Sequence, residues 1–132
     1  MPLKKLAEVT TKFIRARFQG SSPPVKIGYP QAHLKRATIF IVSELNHAIG
    51  VFYHFEKKVT YVYDSLNIGE TQNPVRAAVE AKLHRHQVRY LHYEFHAKND
   101  FCGSNLIAAT VELVRWYRNG YIPPRIHPSP IV

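Results

Sequence analysis

Residues 99–105, with the sequence Asn-Asp-Phe-Cys-Gly-Ser-Asn, form the stretch around which the chain is organised. They lie between a run rich in aromatic and β-branched residues, 88–95, and a long helical pattern that continues to Arg118. A thiol at a helix start faces unpaired backbone N–H groups and the positive end of the helix dipole, and both favour the thiolate. Cys102, the single cysteine, therefore stands where a nucleophile is expected, although a free cysteine is often only a small core residue.

Two strand-like segments upstream carry a histidine and a carboxylate at their ends. Residues 48–55 and 59–63 flank a polar turn, 56–58, and predict a β-hairpin. His47 opens the first strand, and Asp64 follows the second strand 17 residues later. Because the hairpin turns midway between them, we expect the two side chains to be neighbours. A carboxylate in that position fixes the tautomer of the imidazole, which can then activate a thiol that the fold brings alongside.

Hydrophobic periodicity predicts helices and strands on both sides of this hairpin. The helix after the cysteine has the widest apolar band, so we expect it to be the central buried helix. The predicted fold class is α+β, with a small, mostly antiparallel sheet packed on that helix. The predicted elements are a helix over 3–18, a strand over 37–42, a helix from Pro74 to about 86, a strand over 88–95 and the central helix from Cys102-Gly103 to Arg118.

Length and composition are those of one globular domain. The chain has 132 residues, of which 45% are hydrophobic, and we expect a single domain over 1–132. Within it, 1–36 is predicted to form an N-terminal helix and loop, and 121–132, with four prolines, an extended tail. We find no membrane-spanning run and no leader pattern, and a single cysteine cannot form an internal disulfide. An intracellular, reducing compartment, cytoplasm or nucleus, is therefore expected.

The chain is strongly basic, with 18 Lys and Arg against 9 Asp and Glu and a formal charge of +9. Such a charge is compatible with an acidic protein partner, with nucleic acid or with an anionic membrane. The sequence contains no zinc-finger or RNA-recognition signature, so charge alone indicates no particular partner.

Three parts of the sequence together resemble a known family. They are His47, the segment Tyr63-Asp64-Ser65-Leu66 and the segment Asp100-Phe101-Cys102-Gly103. This pattern resembles the ubiquitin-like-protein proteases, the SUMO/sentrin-specific and NEDD8-specific cysteine proteases of clan CE, which are related to adenovirus protease and YopJ-type effectors. The resemblance covers roughly residues 37–118. It implies a clan CE fold in which Cys102 is the nucleophile, His47 the general base and then acid, and Asp64 the orienting carboxylate, without metal or cofactor.

The chain departs from the family pattern at three places. Ala48 stands where the family has a Trp directly after the histidine. Asp100 is separated from the cysteine by Phe101, whereas the family has the Asp next to it. The family's oxyanion-hole Gln has no counterpart, and His96 and Asn99 are the side chains in that region that can donate instead.

The resemblance implies cleavage of a peptide or isopeptide bond in a ubiquitin-like modifier or its conjugate, or at a viral or effector-specific site. A viral or bacterial effector would act inside a host cell. One alternative is a YopJ-type acetyltransferase, whose inositol phosphate activator is compatible with the basic surface. Another is a degenerate protease kept as a binding module for a ubiquitin-like protein. The missing Trp and Gln favour the binding module, whereas the complete triad argues against it.

Four histidines between residues 84 and 96 raise the question of a metal site. They lack a second set of ligands such as paired cysteines, so surface or packed histidines are the favoured interpretation. The four are His84, His86, His92 and His96.

Overall fold

The computed structural model describes residues 2–93, 102–120 and 126–130. Its helices and strands confirm the predicted α+β class. The predicted strand over 88–95 is described as far as Tyr93. The elements are α1 (Leu3–Arg17), β1 (Val25–Ile27), β2 (Thr38–Glu44), β3 (His47–His54), β4 (Val59–Tyr63), a 3-10 turn (Ile68–Glu70), α2 (Pro74–Lys82), β5 (Val88–Tyr93), α3 (Cys102–Asn119) and β6 (Ile126–Pro130).

The described strands form one mixed sheet in which spatial order follows chain order from β1 to β6. Three of the five neighbouring pairs are antiparallel, and β1–β2 and β4–β5 are parallel. The predicted hairpin is β3–β4, and its register pairs Gly50 with Tyr63. The parallel pair β4–β5 requires a crossover, and α2 lies in that connection.

Alternation along the strands divides the core into two layers, one on each face of the sheet. α1 and α3 cover the face that carries Phe52 and Tyr63. α2 covers the opposite face, where Val51, Val62 and Val79 pack together. All five side chains are almost completely buried. Burial of each large apolar side chain stabilises the fold by about 1.5–3 kcal/mol.

α2 begins as predicted and ends earlier than predicted. Pro74 occupies the first turn, and the side chain of Asn73 caps the helix by accepting a backbone N–H. The prediction extended the helix to about residue 86, whereas it ends at Lys82. The His86 ring lies instead beside β4, with Nδ1 3.0 Å from the Thr60 hydroxyl. This contact turns the chain toward the parallel pairing of β5 with β4.

α3 starts at Cys102, as the Cys-Gly pattern predicted, and continues through Asn119. Gly120 has a φ of 74° and donates its N–H to the Trp116 carbonyl, which closes the last turn. Residues 126–130 are extended, as expected for the tail, and in addition pair with β5 as an antiparallel strand. Prolines disfavour strand formation, so the sequence did not predict this pairing.

The connection between β2 and β3 is a two-residue turn with an unusual residue in it. Leu45 has a φ of 50° and Asn46 a φ of 63°. A type I′ turn needs positive φ at both positions, which Asn and Gly adopt readily. A leucine there costs about 1 kcal/mol. Because the Leu45 side chain is 67% exposed, packing does not offset this cost.

Candidate active site

The structure brings His47 and Asp64 together at the end of the sheet where β3 begins and β4 ends. The His47 Nε2 atom lies 2.6 Å from the Asp64 Oδ2 atom, which confirms that the two side chains are neighbours. The two residues are 7% and 2% exposed. Because a carboxylate oxygen only accepts, Nε2 carries the proton and donates it, which leaves the Nδ1 lone pair of the neutral ring free to act as a base.

Two backbone groups hold the Asp64 carboxylate in a fixed orientation. Leu66 N donates to Oδ2 at 3.2 Å, and Ile68 N donates to Oδ1 at 3.0 Å. An aspartate that bonds to the backbone two and four residues ahead stabilises the turn that it begins. Three donors therefore fix the carboxylate to which the imidazole is bound.

A second buried carboxylate lies opposite His47 but has its own partners. Glu44 pairs with His47 in the β2–β3 register. Its Oε1 atom accepts from the Tyr29 hydroxyl at 2.7 Å and from Lys82 Nζ. The hydrogen bonds from Lys82 and Tyr29 lower the pKa of Glu44 below its usual value. Glu44 is thus engaged on the α2 side, and the His47 ring bonds to Asp64.

The direction of α3 follows from its contacts with β4. The Tyr63 hydroxyl lies 2.7 Å from the Thr110 hydroxyl. The Tyr61 and Trp116 rings pack edge to face with centroids 4.9 Å apart. A later position on β4 therefore contacts an earlier position on α3, so the two elements run in opposite directions. The N-terminus of α3, at Cys102, is directed toward the end of the sheet that carries His47 and Asp64.

The lengths of these elements are compatible with a start of α3 near the end of the sheet that carries His47. Cys102 precedes Thr110 by eight residues, which is about 12 Å along a helix. His47 precedes Gly50, the partner of Tyr63, by three residues, which is about 10 Å along a strand. Measured from the Tyr63–Thr110 contact, the Cys102 backbone and His47 therefore extend by similar distances toward the same end.

Side chains along β3 alternate between the two faces of the sheet, and this limits how a thiol can approach the His47 imidazole. Ala48 and Phe52 pack with the layer under α1 and α3, whereas Ile49 packs with the layer under α2. Alternation places His47 on the side of Ile49. A thiol from α3 must therefore reach the imidazole around the end of the sheet, past Ala48, which contributes only a methyl group.

The remaining predicted site groups lie outside the described part of the chain. For Cys102 the description covers the backbone, and the predicted approach of its sulfur to His47 is not part of it. His96 and Asn99, the two predicted oxyanion donors, fall in the segment 94–101. Their assignments stay predictions.

Asn67 is a structural residue at this site that sequence reasoning missed. It lies in the turn that Asp64 begins and has a left-handed backbone, with a φ of 49°. Its Nδ2 atom donates to the Tyr93 carbonyl at 2.9 Å, and its Oδ1 atom accepts from Tyr93 N at 2.9 Å. The amide thus pairs with the last described residue of β5 as a neighbouring strand would. Because Asn tolerates positive φ, an Asn in this turn was the available signal.

The described histidines of this group have separate partners. The His84 Nδ1 atom lies 3.1 Å from the Ala81 carbonyl oxygen, and the His92 Nδ1 atom lies 2.6 Å from the Glu70 Oε1 atom. In the described ranges, no group of three or more His, Cys, Asp or Glu residues is arranged to hold a metal ion. His96 is outside those ranges.

Comparison with known proteins gives no family assignment. No family profile, no curated protein and no solved structure matches this chain. Among the described helices, none is both long and apolar enough to cross a membrane. Even α3, with 18 residues, carries charges at Glu112, Arg115 and Arg118.

Proposed function

We propose that this protein is a cysteine protease that uses Cys102, His47 and Asp64 as a catalytic triad. Its substrate would be a peptide or isopeptide bond that follows the Gly-Gly-type tail of a ubiquitin-like modifier, or a viral or effector-specific site. The observation that supports this most is the buried His47–Asp64 pair at the end of the sheet toward which the α3 N-terminus is directed.

Each group has a defined step in the proposed reaction. His47 Nδ1 takes the proton of the Cys102 thiol, and the thiolate attacks the substrate carbonyl carbon. The Cys102 N–H and a side chain from His96 or Asn99 stabilise the resulting oxyanion. His47 then gives its proton to the leaving amine as the C–N bond breaks. Asp64 stabilises the imidazolium between these two proton transfers. The neutral His47 then takes a proton from water, whose oxygen attacks the thioester carbonyl, and the imidazolium returns that proton to the departing thiolate as the C–S bond breaks.

The observed architecture supports the clan CE resemblance at the level of layout. A sheet carries the His and acid on neighbouring strands, and a helix that begins at the cysteine packs on that sheet. The proposal includes an intracellular, reducing location, in which a single catalytic thiol stays reduced. The charge of +9 supports an acidic protein or a polyanion as an additional partner.

A panel of ubiquitin-like modifiers with C-terminal electrophiles tests this proposal. The wild-type protein should form a covalent adduct with at least one of them and cleave the matching fusion substrate. Because Cys102 is the single cysteine, adduct formation reports on one site. Cys102→Ala should abolish both reactions while it leaves circular dichroism unchanged, and His47→Ala and Asp64→Asn should slow both.

Other outcomes would assign a different function. If the full panel gives neither adduct nor cleavage, the proposal of a ubiquitin-like-modifier protease is wrong. Tight modifier binding without an adduct would indicate the binding module. Incorporation of acetyl groups from acetyl-CoA into protein, dependent on Cys102, would indicate the acetyltransferase.

A further inference from the structure

Large apolar side chains that face solvent are few and unevenly placed in the described part of the chain. Leu45 and Leu66 are about two-thirds exposed, whereas Phe13 and Ile27 are less than half exposed. Single exposed apolar residues are common on proteins, so position has to decide whether these two matter. The group consists of Phe13 at 44%, Ile27 at 49%, Leu45 at 67% and Leu66 at 66% exposure.

Both leucines lie two residues from a member of the candidate catalytic pair. Leu45 precedes His47 in the turn between β2 and β3. Leu66 follows Asp64, and its backbone N–H donates to the same Oδ2 atom that His47 Nε2 contacts. The two exposed side chains therefore belong to the loops that carry the imidazole and the carboxylate.

The fold itself gives no reason for a leucine at position 45. The turn needs positive φ there, which Asn or Gly would adopt with less strain. The side chain buries little of its surface, so it adds little to the core. A strained, exposed apolar residue next to a candidate active site points to a contact outside the chain.

We infer that Leu45 and Leu66 contact apolar side chains of the substrate close to the cleaved bond. This inference rests on the proposed function, because a chain that reacts beside His47 has to pass the loops that carry these leucines. It narrows the substrate class to protein tails with leucine-like residues within a few positions of the cleaved bond. Exposed leucines beside the candidate pair favour such tails because the contact removes apolar surface of both partners from water.

Two matched substrates and a set of variants test the inference. The substrates are one modifier ending in Gly-Gly, with either Leu or Asn at the positions just before the glycines. We expect wild-type protein to favour the Leu tail, and Leu45→Asn with Leu66→Asn to lower kcat/KM for that tail roughly tenfold while the Asn tail changes little. Ile27→Thr, on the edge strand β1, is the control and should leave kcat/KM for both tails unchanged.

Stability separates recognition from folding. Leu45→Asn should raise the Tm, because Asn suits the left-handed position, while it weakens turnover of the Leu tail. Leu66 is not at a positive φ, so Leu66→Asn should leave the Tm unchanged. A fall in activity that follows a fall in Tm would overturn the inference.

The remaining outcomes are also decisive. If the variants lower kcat/KM equally for both tails, or for neither, the leucines do not recognise the tail. The inference then fails while the protease proposal stands. If wild-type protein cleaves nothing, the protease proposal fails, and calorimetric binding of the same two tails to unmodified protein tests the contact directly. Equal binding of both tails would overturn it. The inference would also be overturned if wild-type protein sedimented as a dimer and the leucine variants as monomers.

Discussion

At the scale of single residues, the tautomer of His47 determines how Cys102 should react. Nε2 donates to Asp64, so Nδ1 is the atom that can take the thiol proton. Iodoacetamide should therefore label Cys102 rapidly at pH 6–7, well below the ordinary thiol pKa of about 8.5. His47→Ala should slow labelling by roughly tenfold or more at pH 6.5. If labelling has the same pH profile in wild type and His47→Ala, and that profile is the titration of an ordinary thiol, Cys102 is a structural residue.

A glycine on β3 makes room for the contact between the sheet and α3. A Cβ at position 50 would clash with the ring of Tyr63, which is fully buried and whose hydroxyl bonds to Thr110. Gly50→Ala should lower the free energy of unfolding by about 2–3 kcal/mol, measured in urea. Gly103→Ala is the matched control, because its Cβ would meet Leu6 at 3.6 Å, an ordinary contact. An unchanged free energy of unfolding in Gly50→Ala would contradict this role.

The parts of the site that the sequence predicted are those set by local geometry. His47 and Asp64 belong to one hairpin, whose register follows from a short turn. The relation of this pair to Cys102 depends on how α3 packs across the sheet, which periodicity does not specify. The Asn in the turn indicated only a positive φ. Its pairing with the backbone of Tyr93, 26 residues later, has no counterpart in a local sequence pattern.

At the scale of elements, the Asn67 side chain ties the loop after β4 to the backbone of β5. Asn67→Gly keeps the positive φ but removes both hydrogen bonds to Tyr93, and should cost about 1–2 kcal/mol of stability. Because this loop carries Asp64, kcat should fall several-fold more than KM changes. Asn73→Ala removes the α2 cap at a cost of about 1 kcal/mol and is the stability-matched control. Equal kcat values in Asn67→Gly and Asn73→Ala would show that the hydrogen bonds between Asn67 and Tyr93 are only structural.

The elements that could be predicted are those with strong local patterns. The limits of β4 and the start of α2 agree with the prediction, because a polar turn and Pro74 mark them. The parallel pairs depend on crossovers between distant segments, and no local signal specifies them. β6 depends on its pairing with β5, which offset its proline content.

At the scale of the whole molecule, two half-buried histidines should make stability depend on pH. Burial lowers the pKa of His54 and of His86 below 6.5, so the folded protein resists protons that the unfolded chain binds. The free energy of unfolding should therefore fall as the pH drops from 7.5 to 5.5. Glu44 and Glu56, whose pKa values lie below 4.5, lose their contribution only at lower pH.

The variant His54→Phe isolates one of these contributions. Phe fits the aromatic surroundings of residue 54, where the Tyr117 ring lies with its centroid 5.0 Å away. Urea unfolding at pH 7.5 and 5.5 should show a smaller loss of stability for His54→Phe than for wild type. Identical losses would mean that the His54 imidazole does not contribute.

The two outer strands have a consequence for how the protein behaves at high concentration. Open sheet edges recruit strands from other molecules and start fibrils. β6 carries Pro128 and Pro130, which lack N–H groups, and β1 has only three residues. Both edges are therefore poor templates for polymerisation. Removal of residues 126–132 would leave β5 as a new, proline-free edge, and growth of thioflavin-binding aggregates should follow from that truncation rather than from any change at His47 or Asp64.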